Sequence, residues 1–373
     1  MEAYFDNAAT TKVFPEVKDL DAGHYIKETK EILAKEWKVD SKEIVLTSGG
    51  TESNNLALIG AALANKRSGN RIITSKVEHA SVSSTMAFLE SLGFEVVYLN
   101  VDHQGIVDLE QLEQEVNEDT ILVSVMYVNN EIGTIEPIKE IGEIAHRHGI
   151  LFHTDAVQAF GQIPIHVDGM NIDMLSASGH KFNGPKGIGF LYIKKGLKLK
   201  SFIHGGQQER GRRAGTENVP GIVGIAKACE IAMAEMEERM KKETELRDYL
   251  IERILKEIPY TRLNGHSKKR LPNNVNISFQ FVEGESILIM LDMAGICASS
   301  GSACTSGSVD PSHVLLAIGL PHEIAHGSLR LTIGYENTKE EMDTVVDNLK
   351  RIITNLRNMS PLYEDYVKKN HIQ

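Results

Sequence analysis

The feature that most constrains the fold is a regular alternation of short apolar segments with amphipathic segments between residues 27 and 155. Several of the apolar segments are hydrophobic throughout, which is typical of strands that are buried on both faces. The pattern therefore predicts an α/β fold with a mainly parallel sheet covered by helices. The predicted strands are 43–47, 71–74, 95–99, 120–127 and 151–155, and the predicted helices are 27–38, 52–64, 81–92, 109–116 and 138–148.

The composition of the chain changes near Asn218. Asn218 can cap a helix and Pro220 can occupy its first turn, so we predict a long helix that runs to about Ile258. Beyond it, strands over 274–279 and 326–333 with helices over 285–293 and 339–359 predict a smaller α+β domain. We place the large domain at 15–240, and the small domain at 1–14 together with 241–373.

The bulk composition excludes several classes of protein. The 373 residues carry a formal net charge of -11, which argues against a nucleic-acid partner. No apolar run reaches membrane-spanning length and the first residues lack a signal-peptide pattern, so we expect a cytoplasmic protein without a membrane partner. The three cysteines cannot form a disulfide framework, and their spacing does not suggest a metal site.

One lysine lies in a Gly- and Pro-rich turn between two predicted strands. Ser178-Gly179-His180-Lys181 follows a predicted strand over 172–175 and precedes another over 189–193. A desolvated lysine loses its proton readily and can form a Schiff base. A lysine in such a turn is more often a solvated loop residue, so its role depends on the other motifs.

Further polar motifs also follow predicted strands. Gly49-Gly50-Thr51 begins a helix and suits a phosphate, although a Gly-Gly-Thr sequence alone is more often a turn than a phosphate site. Asp155 is either a helix cap or the partner of a protonated ring nitrogen, as pyridoxal phosphate requires. His79 and Asn129-Asn130 are surface turn residues or cofactor contacts. Ligands of parallel sheets bind beyond the carboxyl ends of the strands, so the shared position of these motifs favours one cofactor site.

As an ordered set, the motifs resemble the cysteine desulfurases of the NifS/IscS type, which belong to the fold-type I, class V pyridoxal-phosphate enzymes. The matching segments are 4–11, 47–55, 78–79, 129–133, 154–158, 178–181, 212–218 and 299–306. Residues 18–24 replace a longer segment of the family, which borders the entrance to the active site. The resemblance implies a seven-stranded sheet, a homodimer, L-cysteine as the substrate, and an iron–sulfur scaffold or another protein as the sulfur acceptor.

The resemblance also implies a role for individual residues. Lys181 would bind pyridoxal 5'-phosphate covalently and move the substrate Cα proton, and Cys304 would receive the sulfur as a persulfide. His79 would stack on the cofactor, and its pKa near neutrality makes it a candidate to take the substrate thiol proton. The implied cofactor contacts are Gly50, Thr51, His79, Asn130, Asp155, Gln158, Ser178, His180 and Lys181, with Thr216 from the neighbouring subunit. Asn130 and Arg330 would hold the substrate carboxylate.

The three cysteines lie in different surroundings. Cys229 falls within the predicted long helix and Cys297 after an apolar segment, so both are expected to be packed. Cys304 lies in a loop of Ser, Gly and Thr that has little to bury it, and thiol reactivity requires exposure. We therefore predict Cys304 as the nucleophile, with Gly301 and Gly307 allowing its loop to move.

Two other functions remain open at this point. A class V aminotransferase would share the lysine, the aspartate and the phosphate site but would not need Cys304. A non-catalytic subunit for sulfur assembly could keep the fold and bind partners without turnover. Selenocysteine as the preferred substrate is a further variant.

Overall fold

The computed structural model describes residues 3–4, 26–300 and 311–370. Residues 18–24 and Cys304 lie outside this part of the chain, so the predictions made for them are not tested by it. Within it, none of the helices is both long enough and apolar enough to cross a membrane.

The elements up to residue 193 alternate as the sequence predicts. They are β1 (Ala3–Tyr4), α1 (Ile26–Lys35), β2 (Ile44–Thr47), α2 (Gly50–Asn65), β3 (Arg71–Ser75), α3 (Ala80–Ser91), β4 (Glu95–Leu99), α4 (Leu109–Glu115), β5 (Thr120–Ser124), α5 (Ile138–Arg147), β6 (Leu151–Asp155), β7 (Met174–Ser178) and β8 (Gly189–Ile193).

Seven strands form the central sheet in the order β2-β8-β7-β6-β5-β3-β4. Five neighbouring strands, from β7 to β4, are parallel, whereas β8 runs antiparallel to both β2 and β7. The expected mainly parallel sheet is therefore confirmed. Because β2 is parallel to β7, its carboxyl end reaches the same edge of the sheet as those of β3, β5, β6 and β7.

Helices cover both faces of this sheet, because successive residues of a strand pack into different cores. Ile72 of β3 and Leu122 of β5 pack with α2 and α3 on one face. Their neighbours Ile73 and Val123 pack on the other face, in a core that includes Phe152, residues of α1 and α5, and residues of the long helix Val219–Glu257. Burial on both faces explains why these strands are apolar throughout.

The remaining elements are α6 (Val219–Glu257), β9 (Thr261–Leu263), β10 (Asn274–Phe279), α7 (Gly284–Met293), β11 (Ile296–Cys297), α8 (His313–Ala317), α9 (His322–His326), β12 (Ser328–Thr332), α10 (Lys339–Asn358) and α11 (Pro361–Asn370). The Asn218 side chain accepts a hydrogen bond from Gly221 N at 3.2 Å, which confirms the predicted start of the long helix. The strands β12-β10-β9 form an antiparallel sheet, and β1 pairs with β11 in parallel.

The C-terminal part has a hydrophobic core of its own. Val275 and Ile277 of β10 pack there with Leu329 and Leu331 of β12 and with residues of α6, α7 and α10. The predicted boundary between residues 240 and 241 would cut α6 in two, and this boundary stays a prediction.

Two predicted strands are displaced. The strand predicted over 172–175 runs instead from Met174 to Ser178, and the strand predicted over 326–333 begins only at Ser328, after the short helix α9. The small polar residues of β7 are buried, although their composition resembles a loop.

Candidate active site

The predicted site residues gather where the strands of the central sheet end. Asp155 is the last residue of β6 and Ser178 the last of β7, and these two strands pair side by side. His79 caps the helix that follows β3, and Asn130 lies in the loop after β5. The structure therefore brings to one edge residues that are up to 99 positions apart (Ser178 and His79).

Asp155 is 5% exposed, and its carboxylate is held by two donors. Its Oδ1 accepts a hydrogen bond from Val157 N at 2.9 Å, and its Oδ2 accepts one from Asn54 Nδ2 at 2.7 Å. Asn54 Nδ2 also contacts Ser81 Oγ at 2.8 Å, and Ser81 Oγ lies 2.8 Å from His79 Nδ1. A buried chain of hydrogen bonds thus joins Asp155 to His79.

The start of α2 packs directly against the ends of β6 and β7. A Cβ atom on Gly50 would lie 2.6 Å from Val157 Cγ2, and one on Gly49 would lie 3.5 Å from Ser178 Oγ. Gly49 caps the helix without a side-chain hydrogen bond. The N–H groups of the first turn carry the positive end of the helix dipole, so this turn is suited to an anion.

Lys181 ends a short 3-10 turn, Gly179–Lys181, that follows β7. Its side chain is partly buried, and its carbonyl oxygen accepts a hydrogen bond from Gln162 Nε2 at 3.2 Å. Burial, together with the nearby charges of Lys181 and Lys186, lowers the pKa of His180 to about 4. His180 is therefore neutral at pH 7 and can serve as an uncharged hydrogen-bond partner in this turn.

Arg330 reaches the same region from the C-terminal sheet. It lies in β12 and is buried, and its Nη1 donates to the carbonyl oxygen of Asn130 at 2.9 Å. Its Nη2 donates to Ser299 Oγ at 3.3 Å. The structure thus places next to each other the two residues that the resemblance assigns to the substrate carboxylate.

Glu78 is a second buried carboxyl group near this edge. Its Oε1 accepts hydrogen bonds from Ser75 Oγ at 2.6 Å and from Met126 N at 2.9 Å, whereas Oε2 has no partner among the described residues. Burial raises the pKa of Glu78 to about 8, the negative charge of Asp155 adds to this rise, and the two hydrogen bonds and His79 oppose it. Glu78 therefore keeps its proton at pH 7.

Comparison with known proteins identifies the family. The profile of the class-V aminotransferases matches residues 18–345. The cysteine desulfurase IscS of Methanosarcina thermophila is 53% identical over 379 residues, which cover 96% of this chain and 94% of that protein. The chain is an IscS-type member of the class-V aminotransferase family. The IscS of Clostridium botulinum strain Hall is 56% identical over 341 residues, covering 91% of this chain and 86% of that one.

A solved structure supports this family at the level of the fold. It is titled a NifS-like protein, has a TM-score of 0.88 and a sequence identity of 37%, and covers 95% of this chain and 100% of its own. The resemblance predicted from the motifs is thereby confirmed, as is the expected fold class. Enzymes of this family depend on pyridoxal phosphate.

The residues present fit pyridoxal phosphate. The start of α2, which has no capping side chain and whose glycine backbone faces Ser178, suits the phosphate. The Asp155 carboxylate is buried, and a buried carboxylate is costly unless it is paired. A protonated ring nitrogen is a group that would pair with it. Both features lie at the edge that also carries Lys181.

Three further residues with a predicted cofactor contact differ in how exposed they are. Gln158 follows Asp155 closely and is partly buried, and Thr51 in the first turn of α2 is exposed. Thr216 is exposed in the loop before α6, and its contact with a neighbouring subunit stays a prediction. Arg213 ties this loop to α2 through a bidentate ion pair with Glu52, at 2.7 Å (Nε to Oε1) and 3.2 Å (Nη2 to Oε2).

Cys229 and Cys297 lie within the described residues and differ in burial. Cys229 is buried in α6, and burial raises the pKa of its thiol far above the usual range, so it is unsuited to act as a thiolate. Cys297 is partly buried and ends β11. Burial of Cys229 confirms that it is packed, whereas Cys297 is packed only in part; the assignment of the nucleophile stays a prediction.

Sequence reasoning missed Asn54 and Ser81. Both lie within or beside recognised motifs, but no role was expected for them. The available signal was their position on buried faces: Leu58, four residues after Asn54, and Thr85, four residues after Ser81, are also buried. A polar residue on the buried face of a helix needs a partner, and here the partner is the other side chain.

Proposed function

We propose that this chain is a pyridoxal-phosphate-dependent cysteine desulfurase, which converts L-cysteine to L-alanine and carries the sulfur as a persulfide on Cys304. The observation that carries the proposal is the buried Asp155 carboxylate at the same sheet edge as the Lys181 turn and the start of α2. The relatives named cysteine desulfurase support cysteine as the substrate.

Each cofactor contact has a distinct task in this proposal. Gly50, Thr51, Ser178 and His180 would hold the phosphate, which suits a helix start and a neutral histidine. Three further residues would contact the ring: Asp155 its nitrogen, Gln158 its oxygen and His79 its face. When bound, pyridoxal phosphate supplies an electron sink that loosens the Cα–H and C–S bonds of the substrate.

The protein groups would position the substrate and move its protons. Asp155, fixed by Asn54 and Val157, would hold a proton at the ring nitrogen. Lys181 Nζ would bind the cofactor covalently at rest and would then move the proton at the substrate Cα. Arg330 and Asn130 would bind the substrate carboxylate, for which the planar guanidinium group of arginine is well suited.

Cys304 would perform the sulfur transfer. Its thiolate attacks the substrate sulfur, so that a sulfur–sulfur bond forms as the C–S bond breaks. The electron pair of the C–S bond stays with the substrate carbon, which takes up a proton and leaves as alanine. We expect the persulfide to pass to an iron–sulfur scaffold or to another acceptor protein, from a homodimer located in the cytoplasm.

Incubation of the holoenzyme with L-cysteine and a reductant tests the proposal. We expect equal amounts of alanine and sulfide. An oxo acid in place of alanine would identify an aminotransferase, and the absence of any product would identify a non-catalytic subunit.

Two substitutions with matched controls locate the chemistry. Lys181→Ala should lower the turnover by about 10³-fold or more, whereas Lys186→Ala, an exposed lysine in the same turn region, should not. Cys304→Ala should stop the release of sulfide but should leave the change of the visible spectrum on addition of cysteine. Cys229→Ala and Cys297→Ala are its controls, and loss of sulfide in either of these with full release in Cys304→Ala would identify another nucleophile.

A further inference from the structure

The hydrogen-bond chain from Asp155 to His79 has a defined direction. Its two central members, Asn54 and Ser81, are buried and belong to the different helices α2 and α3. The three links measure 2.7 Å, 2.8 Å and 2.8 Å, so each is a full hydrogen bond. Each link needs one donor and one acceptor, and these assignments depend on each other.

Asp155 fixes the direction from one end. An ionised carboxylate only accepts hydrogen bonds, so the Asn54 amide must turn its NH₂ group towards Asp155 Oδ2. The second proton of the same NH₂ group then lies on Ser81 Oγ, which accepts it. The hydroxyl proton of Ser81 remains, and it is donated to His79 Nδ1.

The backbone fixes the same direction from the other end. The N–H of Ser81 points at His79 Nδ1 over 3.1 Å, as part of the cap of α3. A backbone N–H can only donate, so Nδ1 is an acceptor whatever the side chains do. In a neutral imidazole ring with Nδ1 as the acceptor, the proton lies on Nε2.

The opposite arrangement is unfavourable at both ends. With the amide reversed, Asn54 Oδ1 would face Asp155 Oδ2 at 2.7 Å, which requires a protonated Asp155. A proton on His79 Nδ1 would also face the N–H of Ser81. The observed orientation leaves Asn54 Oδ1 without a partner among the described residues, so the orientation is set by Nδ2 and its two acceptors.

We propose that Asn54 and Ser81 are positioning residues that couple Asp155 to His79 and hold His79 as the neutral tautomer protonated at Nε2. Uptake of a proton at Nδ1 would break the bonds from both the hydroxyl and the backbone of Ser81. His79 therefore enters the reaction as an N–H donor at Nε2, and the role of thiol-proton acceptor expected from its ordinary pKa passes to another group. Only this last consequence rests on the proposed desulfurase function.

Neutron diffraction from deuterium-exchanged crystals of the holoenzyme tests the tautomer directly. We expect nuclear density for deuterium on His79 Nε2 and none on Nδ1, with both amide deuterons of Asn54 directed at Asp155 and Ser81. Deuterium on Nδ1, or a reversed Asn54 amide, would overturn the proposal. The readout does not involve turnover, so a crystal with the expected tautomer and an enzyme that makes no alanine would reject the proposed function alone.

Nitrogen NMR of variants tests the coupling. In holoenzyme labelled with ¹⁵N-histidine, the signals of His79 are assigned by their loss in His79→Gln. We expect Ser81→Ala to shift the Nδ1 signal because one of its two donors is gone, and Ser81→Thr, which keeps the hydroxyl, to restore it. Ser84→Ala, an exposed serine of the same helix, is the control. An Nδ1 signal that is the same in wild type and in Ser81→Ala would show that the chain does not act on His79.

Discussion

At the scale of single residues, two buried carboxyl groups near one sheet edge receive their hydrogen bonds in different ways. Both oxygens of Asp155 receive hydrogen bonds, from Asn54 Nδ2 and from Val157 N. Only one oxygen of Glu78 receives any from the described residues. Each carboxyl group thus has two donors, but those of Glu78 converge on one oxygen, and burial raises the pKa of Glu78 to about 8, so it stays protonated at pH 7.

Glu78→Gln should therefore change how stability depends on pH. Between pH 4.5 and about 8, wild-type Glu78 is protonated in the folded protein and ionised in the unfolded chain. Folding then takes up a proton at Glu78, so the contribution of Glu78 to the free energy of unfolding falls as the pH rises through this window. Glutamine does not titrate, and the stability of the variant relative to wild type should increase by up to about 1.4 kcal/mol per pH unit.

Urea unfolding of both holoenzymes at pH 5, 6, 7 and 8 measures this difference. Glu118→Gln, which changes an exposed glutamate, is the control and should follow the wild type. A constant difference between Glu78→Gln and wild type across the four pH values would mean that Glu78 is already ionised in the folded protein.

The sequence predicts the residues of the site better than the links between them. The position of Lys181, Asp155 and His79 at one edge of the sheet could be predicted because each follows an apolar strand, and the ends of parallel strands meet. Asn54 could not be assigned a partner, because the residues that it contacts lie 27 and 101 positions away in the chain. Hydrogen bonds between side chains of different elements depend on how the helices pack on the sheet. A local sequence pattern does not predict that packing.

At the scale of elements, the sequence predicts which segments are strands better than it predicts their direction or limits. The apolar run of β8 predicts a buried strand, but its antiparallel pairing with β2 and β7 depends on the route of the chain. The residues Ser176-Ala177-Ser178 were expected in a loop, and they extend β7 because they are small enough for close packing.

Gly189→Ala should weaken the start of β8 and the anion site beside it. A Cβ atom there would lie 2.5 Å from the carbonyl oxygen of Ala177 and 2.6 Å from Gly49 Cα, so the backbone has to shift. Alanine normally improves a strand relative to glycine, by about 0.5–1 kcal/mol. Here we expect a loss of about 1–3 kcal/mol of stability instead, together with weaker binding of pyridoxal phosphate.

Urea unfolding and a titration of the apoprotein with pyridoxal phosphate measure the two effects. Gly169→Ala is the matched control, because a Cβ atom at Gly169 meets nothing closer than 3.7 Å. A variant at Gly189 that is as stable as this control would show that β8 moves away from Gly49 at no cost. Full affinity for pyridoxal phosphate together with lowered stability would show that the shift of β8 does not reach the helix start proposed to bind the phosphate.

At the scale of the whole molecule, the site is assembled from two parts of the chain. Arg330 comes from the C-terminal sheet, and its contact with the carbonyl oxygen of Asn130 crosses to the large sheet. The loop after β5 is also held by Asn274 and Asn276 of β10, whose side chains donate to the carbonyl oxygen of Glu131 at 3.1 Å and 3.0 Å. The position of Arg330 relative to Asn130 therefore depends on how the C-terminal part docks on the large sheet.

A third part of the site is expected from a second copy of the chain. If Thr216 binds the phosphate of the neighbouring subunit, Thr216→Ala should weaken cofactor binding by about tenfold. At a concentration of pyridoxal phosphate that fills most intact sites but few Thr216→Ala sites, mixing Lys181→Ala subunits with Thr216→Ala subunits should restore activity, because each mixed dimer of a twofold-symmetric enzyme contains one site with both residues intact. Random exchange makes half of the dimers mixed, so about a quarter of the wild-type turnover should return.

The reciprocal mixture separates the two possible geometries. When Lys181→Ala and Thr216→Ala are placed on the same subunit and mixed with wild type, a cross-subunit Thr216 leaves no intact site in the mixed dimers. Turnover should then fall towards a quarter of the wild-type value, the share of pure wild-type dimers, with only a small addition from impaired sites.

A Thr216 that served its own subunit would instead leave about half of the sites intact in this mixture and would give no recovery in the first one. Size-exclusion chromatography of both mixtures, with one subunit tagged, verifies that exchange has occurred. Recovery in the first mixture together with loss in the second would place Thr216 across the interface, whereas the reverse pair of results would place it within its own subunit and contradict the prediction.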